Sequence, residues 1–192
     1  MHKILLTAAT ALAIGLPAAA HAQQANILVV DSDRLMSDCS ACKSANTQLQ
    51  AKQATLKARA QTLQTQLASE RKPIQDAVDA LNGKEPDAAL KARITAWQTK
   101  ERNANQELET STGSLQSTVA HVQQQIGQKI VAIVEATRAR RGAAIVLSKN
   151  STIANDAAID VTGEVLSTLN TQLPAVSITP MPQAAQQTPQ GR

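Results

Sequence analysis

About 110 residues of helix-forming sequence separate the two predicted strands of this chain, and few folds accommodate that spacing. Asn26 to Asp31 and Gly142 to Ser148 are short, β-branched runs bounded by polar residues, which predicts a strand in each. Residues 32–141 between them are dominated by Ala, Gln, Leu, Lys and Glu, which favour helix. We therefore expect a mainly α fold, with a long helical insertion between two strands.

The insertion carries a coiled-coil seam in two halves. Apolar or small residues recur in steps of three and four from Leu49 to Leu81, and the spacing returns from Leu90 to Ile133. The break at 82–87 contains a Gly stop and a Pro before the next helix start. The pattern predicts an antiparallel helical hairpin over 43–139 that reverses near 82–87.

The rest of the chain predicts a small β-rich head, made of residues 23–42 and 140–179. With one Trp and no Tyr or Phe, neither the head nor a two-helix arm has the large side chains that normally fill a core. Two helices with a narrow seam bury little surface, and so short a head is marginal alone. We therefore expect the chain to self-associate through the head.

The two ends of the chain carry signals of their own. Residues 1–22 combine a short positive start, an apolar stretch of about a dozen residues and a small-x-small cleavage site after Ala22. This pattern predicts a secretory signal peptide and therefore export; Gln23 after the site argues against a lipid anchor. The Pro- and Gln-rich residues 180–192 predict a disordered tail.

The inventory of reactive residues disfavours catalysis. Once the leader is removed, His121 is the only histidine, and it has no carboxylate near it in sequence. No phosphate-binding loop, dinucleotide turn, nucleophile elbow or zinc-helix motif occurs. We therefore expect no enzyme activity, no cofactor and no metal site.

Basic residues are concentrated in the first helix of the predicted arm. Residues 43–72 hold six Lys or Arg against one acidic residue, Glu70, which gives +5, whereas 84–109 is neutral. Such a field attracts acidic polypeptides or anionic lipid and lipopolysaccharide surfaces. Nucleic acid is disfavoured, because the chain is exported and has no aromatic residues among the basic ones. An ordinary solvated coiled-coil face remains the alternative.

Two further local features leave alternatives open. Cys39 and Cys42 are three residues apart in an exported chain, which favours a local disulfide. The other interpretations are a redox role, a metal shared between subunits, and buried free thiols.

Pro73 predicts a kink in the first helix, with Trp97 opposite. A bendable arm and simple filling of the space at the kink explain that pair equally well.

Three segments in this order resemble the Skp/OmpH periplasmic chaperones. They are Ile-Leu-Val-Val-Asp-Ser-Asp-Arg-Leu-Met from Ile27, Ala-Ile-Val-Leu-Ser-Lys from Ala144, and Asp-Val-Thr-Gly-Glu-Val-Leu-Ser-Thr-Leu-Asn from Asp160. The resemblance implies a jellyfish-like homotrimer whose arms surround a cavity. It also implies an ATP-independent holdase that keeps unfolded outer-membrane proteins from aggregating on their way to the outer membrane.

The resemblance also assigns residues. It implies that oligomerisation in the head rests on a set of apolar residues: Ile27, Val29, Ile145, Leu147, Val165 and Leu169. It implies that the cationic arm surface binds clients through Lys52, Lys57, Arg59, Arg71, Lys72, Lys91 and Arg93. The cysteine pair and the tail depart from the family pattern. Two other functions stay open at this point: an envelope coiled-coil tether that binds one folded partner, and a thiol-redox protein that uses Cys39 and Cys42.

Overall fold

A computed structural model of the chain describes residues 26–182; the predicted leader and residues 183–192 of the predicted tail lie outside this range. The mainly helical fold predicted from sequence is confirmed. In chain order the elements are β1 (Asn26–Val30), α1 (Ser32–Asp38), α2 (Ser40–Asp79), α3 (Ala88–Arg140), β2 (Ala143–Ser148) and α4 (Thr162–Gln172), with short 3-10 turns at Lys149–Ser151 and Ala157–Ile159.

The two strands lie side by side, although α1, α2 and α3 separate them in sequence. β1 and β2 pair in parallel, with Ile27 beside Ile145 and Val29 beside Leu147. A parallel pair needs a crossover connection, and here the whole hairpin is that crossover. The other edge of β1 is covered where the Val161 backbone N–H donates to the Val29 carbonyl at 2.9 Å.

The arm is an antiparallel hairpin of two unbroken helices, as the seam predicted. α2 has 40 residues and α3 has 53, which correspond to about 60 and about 80 Å. Between them the chain reverses through Asn82 and Gly83, both with positive φ, a region that glycine enters without strain. Asp87 then caps α3, its Oδ1 accepting from the Leu90 N–H at 2.8 Å.

The core of the head forms where α4 packs on the base of the hairpin. Leu35, Val165 and Leu169 are fully buried there, without any aromatic side chain. Asn170 of α4 also caps α2: its Oδ1 accepts from the Ser40 N–H at 2.8 Å and from the Ser40 hydroxyl at 3.1 Å. This cap satisfies a backbone donor that has no partner within the helix.

After α4 the chain turns back along the arm. Residues 174–182, here called the C-terminal strap, lie against α3, and the Met181 N–H donates to the Ser117 hydroxyl at 3.0 Å. Residues 180–182, the first three of the predicted tail, belong to this strap. Composition did not reveal this, because the partners of the strap are side chains more than 50 residues away in sequence.

Candidate functional site

Two ion pairs join the helices of the arm. The Arg59 guanidinium donates to both carboxylate oxygens of Glu107, at 2.6 and 3.0 Å. Hydrogen bonding to Arg59 lowers the pKa of Glu107, and the same bond raises the pKa of Arg59. Nearer the tip, Lys100 Nζ lies 2.7 Å from a carboxylate oxygen of Glu70. Both pairs are exposed, so each fixes the register of the helices more than it stabilises the fold.

Trp97 forms a third contact across the arm, beside Pro73. Its indole N–H donates to the Leu67 carbonyl at 3.0 Å, and the Arg71 guanidinium lies 5.7 Å from the ring centroid. α2 continues through Pro73 as one helix. Pro73 lacks an N–H, so the carbonyl of Ser69 loses its usual partner in the helix. Trp97 therefore ties the two helices together where the hydrogen bonding of α2 is weakest.

The predicted cationic surface divides into neutralised and unpaired residues. Arg59 is paired across the arm, whereas Lys72 pairs with Asp76 and Lys91 with Glu85. Within residues 26–182, the remaining members of the predicted set take part in no ion pair: Lys52, Lys57, Arg71 and Arg93. The positive field is therefore carried by fewer residues than the sequence count gives, because acidic partners come from the second helix or the next turn.

An apolar groove runs between the bases of α2 and α3. Its volume is about 700 Å³, and its lining includes Leu49 and Ala45 from α2 and Leu115, Val119 and Ile126 from α3. A second groove, of about 580 Å³, contains Lys52 and Arg59 beside Leu56. The arm thus offers apolar surface and unpaired positive charge within the same stretch, near the head.

Cys39 and Cys42 are joined by a disulfide at the start of α2. Cys39 is the N-cap residue, and its Sγ accepts from the Cys42 N–H at 3.0 Å. Both side chains are buried, with exposed fractions of 1% and 6%. Exchange requires attack by an external thiolate, and burial denies that access, so the geometry favours a structural role over redox exchange.

The apolar residues assigned to oligomerisation differ in how far they are buried. Val29, Val165 and Leu169 are buried inside the head, so they are not available to another subunit. Ile27 and Ile145, which are neighbours across the strand pair, are 40% and 43% exposed. Leu147, beside Val29, is half-buried. Residues two apart in a strand share a face, so Ile27 differs from Val29 in its position along the strand and not in the side of the sheet that it faces.

Charged groups close the head around α4. Glu164 accepts from both Arg141 and Arg140, and these bonds, that of Arg141 first, lower its pKa. Asp160 accepts from Lys149 Nζ at 2.8 Å and from the Thr162 hydroxyl at 2.5 Å. These hydrogen bonds, that of Lys149 first, lower the pKa of Asp160 to about 2. Sequence reasoning missed both clusters, whose only local signal is the polar run before α4.

Residues 26–182 contain neither a membrane-spanning helix nor a cluster of metal ligands. In the part of the chain that the structure describes, no helix combines the length and apolar character that crossing a bilayer requires. Over the same residues, no three His, Cys, Asp or Glu side chains gather as a metal site would need.

The fold defines a class of protein in which a small head of paired strands and short helices carries one long antiparallel helical hairpin. The profile of the family described as "Outer membrane protein (OmpH-like)" matches residues 26–169. Because this match spans more than half of the chain, the chain belongs to the OmpH-like family.

A solved structure has the same fold. It is that of a "putative outer membrane chaperone (OmpH-like)" from Caulobacter crescentus CB15, with a TM-score of 0.66 and 14% identity. The match covers 93% of this chain and 99% of that one. No curated protein sequence matches the chain.

Proposed function

We propose that this chain is an ATP-independent periplasmic holdase, which binds unfolded outer-membrane proteins between helical arms and prevents their aggregation. The family and the structural neighbour support a chaperone role. The observation that carries the finer proposal is that the head and the arm expose different kinds of surface. The head exposes large apolar side chains, whereas the arm exposes unpaired cations beside apolar grooves.

The exposed apolar side chains support self-association through the head. Over residues 26–182 the large exposed hydrophobic side chains all lie in the head or near the end of α3 that joins it: Ile27, Met36, Val131, Ile145 and Ile153. Ile27 and Ile145 are neighbours across the strand pair, and Val131 and Ile145 line one groove. Exposed apolar side chains grouped in this way are typical of an interface. We propose a homotrimer whose heads associate here, so that several arms surround one cavity.

The arm surface suits a client without fixed structure. An unfolded barrel protein exposes alternating apolar residues, which the groove at Leu49 and Leu115 can contact weakly. Unpaired Lys52 and Lys57 add attraction for acidic segments, and the same field would draw the arms towards anionic lipid or lipopolysaccharide. Many weak contacts in one cavity give useful retention without any single tight site.

The test is to measure the mass of the mature chain, residues 23–192, by light scattering, alone and with a denatured outer-membrane barrel protein diluted from urea. A trimer that keeps the barrel protein soluble in a defined complex supports the proposal. A chain that lets the client precipitate overturns it, and stoichiometric binding of one folded envelope protein would then indicate a tether.

A matched pair of variants tests the proposed interface. Ile27→Asn with Ile145→Asn places amides at two exposed positions that are neighbours across the strand pair. We expect the measured mass to fall towards that of the monomer. The control is Ala89→Asn, which introduces an amide at an exposed position near the tip of the arm and should leave the mass unchanged. An unchanged mass for the Ile27/Ile145 variant would place the interface elsewhere.

A further inference from the structure

The C-terminal strap is held to α3 through its backbone. The Ser177 N–H donates to Gln125 Oε1 at 2.9 Å, and the Gln125 amide donates back to the Ser177 carbonyl at 3.1 Å. His121 Nδ1 donates to the Thr179 carbonyl at 3.0 Å, and the Ser117 hydroxyl accepts from the next bonded residue of the strap. All four bonds reach main-chain atoms of the strap and none reaches its side chains.

The spacing of these bonds is regular. Ser117, His121 and Gln125 are four residues apart along α3, and the strap residues that they hold are two apart. Four residues of helix rise about 6 Å, and two residues of extended chain advance about 6.6 Å. The two repeats nearly match, so this face of α3 is a ladder for an extended polypeptide running antiparallel to the helix.

The strap itself has the pattern of a half-buried strand. Val176 and Ile178 are partly buried against the core cluster, whereas Ser177 and Thr179, which alternate with them, are exposed. Alternating apolar and polar residues are also the pattern of a strand of an outer-membrane barrel. At its far end, Pro180 lines the groove that contains unpaired Lys52.

We infer that the face of α3 formed by Ser117, His121 and Gln125 is a binding site for extended polypeptide, which the chain's own strap occupies until an unfolded segment displaces it. The inference rests on the proposed holdase function for the identity of the client. Because the site bonds main-chain atoms, it accepts many sequences that alternate apolar and polar residues. A client segment in this place lies beside the groove of Lys52.

The strap is suited to displacement because it is tethered yet weakly held. Each neutral hydrogen bond contributes about 1 kcal/mol, and tethering raises the local concentration of the strap to the millimolar range. A free chain therefore competes only when it is long enough to make further contacts along the arm. The strap therefore covers the site when no client is bound, and a long unfolded client displaces it.

The test compares two truncated mature chains. One ends at Leu173 and lacks the strap; its matched control ends at Pro182 and keeps it. The probes are three fluorescent nine-residue peptides: the sequence of residues 174–182, a reordered sequence with the same alternation, and the first peptide with N-methyl groups at the positions of Ser177 and Met181. Binding is measured by fluorescence anisotropy.

The chain ending at Leu173 should bind the first two peptides with affinities within about threefold of each other. N-methylation removes two backbone donors, so it should weaken binding by at least about tenfold. The control chain should bind all three peptides at least about tenfold more weakly than the shorter chain binds the first. Absence of binding by the shorter chain, or binding of the native sequence alone, would overturn the inference.

A second measurement covers the case in which the shorter chain does not fold. In the full mature chain, adding the unfolded barrel protein should speed amide exchange at Ser177 and Met181, and Gln125→Ala should speed it without client. Exchange that is unchanged by a bound client would overturn the inference. Peptide binding without any holding of the barrel protein would overturn the holdase proposal and leave the site standing, so the two failures are distinguishable.

Discussion

The indole nitrogen of Trp97 lies 3.0 Å from the carbonyl oxygen of Leu67, and this bond joins the two helices of the arm six residues before Pro73. Trp97 is the only aromatic residue of the chain. Its position was predicted from the hairpin register, but the donor and acceptor were not. The bond places the indole ring near the point where proline leaves a helix carbonyl without its partner.

We expect Trp97→Phe to loosen the middle of the arm. The ring packing is retained, whereas the bond to Leu67 is lost, which costs about 1 kcal/mol locally. Amide exchange should become faster around residues 63–75 and 93–101 and stay unchanged in the head. Gln98→Ala, at an exposed neighbour, is the control. Equal exchange in both variants would show that the Trp97 bond contributes nothing to the arm.

The division of the arm cations leads to a charge prediction. Lys52→Glu with Lys57→Glu should weaken client binding, because both residues are outside any ion pair, and the remaining binding should depend less on salt between about 50 and about 500 mM. The control is Lys84→Glu with Lys129→Glu. It changes the net charge by the same amount as the first double variant, but at the two ends of the arm. If both double variants bind equally, the location of the charge does not matter.

Arg59 should respond differently from Lys52, because its charge already faces Glu107. Arg59→Glu places two carboxylates together across the arm, and we expect faster amide exchange there. Arg59→Glu with Glu107→Arg restores the pair at the same net charge and should recover the exchange rate of the parent. If the double variant fails to recover, the contact does not set the register of the helices.

The Cys39–Cys42 disulfide should stabilise the head without serving the client. By the chain-entropy relation, closing a loop this short with a disulfide stabilises the folded state by about 2 kcal/mol. Cys39→Ala with Cys42→Ala should therefore lower the free energy of unfolding by about that amount, measured in urea, and leave suppression of client aggregation intact. Loss of aggregation suppression in a folded double variant would point to a thiol function instead.

Asp160 should make the head sensitive to acid. Its pKa falls from 3.8 to about 2 on folding, so the ionised carboxylate stabilises the fold above pH 4 and loses that effect as the pH falls towards 2. At pH 7, Asp160→Asn should lower the free energy of unfolding by on the order of 1 kcal/mol after allowance for solvent screening. The difference should vanish near pH 2.

The control for this measurement is Glu109→Gln, at an exposed carboxylate outside the head. Its free energy of unfolding should follow that of the parent chain across the same pH range. A deficit of the Asp160→Asn chain that persists unchanged down to pH 2 would mean that the carboxylate is not the stabilising group.

Sequence patterns predicted the secondary structure and the hairpin because those depend on neighbours in the chain. The heptad spacing gave both long helices, and the Gly and Pro between Asn82 and Asp87 gave the turn. The two strand segments were recognised by their β-branched runs. The disulfide partners, three residues apart, were also within reach of local reasoning.

The candidate site was less accessible to sequence reasoning. Counting charges overestimated the free positive surface, because Glu107 is remote from Arg59 in sequence yet contacts it. The strap is a second example, because the composition of residues 174–182 does not show that Ser117, His121 and Gln125 bond their backbone.

The sequence by itself determined that this chain makes a strand-paired head and a long hairpin, since periodicity, capping and turn chemistry act within a few residues. Only the tertiary structure decided which cations are neutralised, that Ile27 and Ile145 stay exposed while Val29 is buried, and where the strap lies. Those outcomes depend on distances between segments far apart in the chain, and local patterns hold no record of such distances.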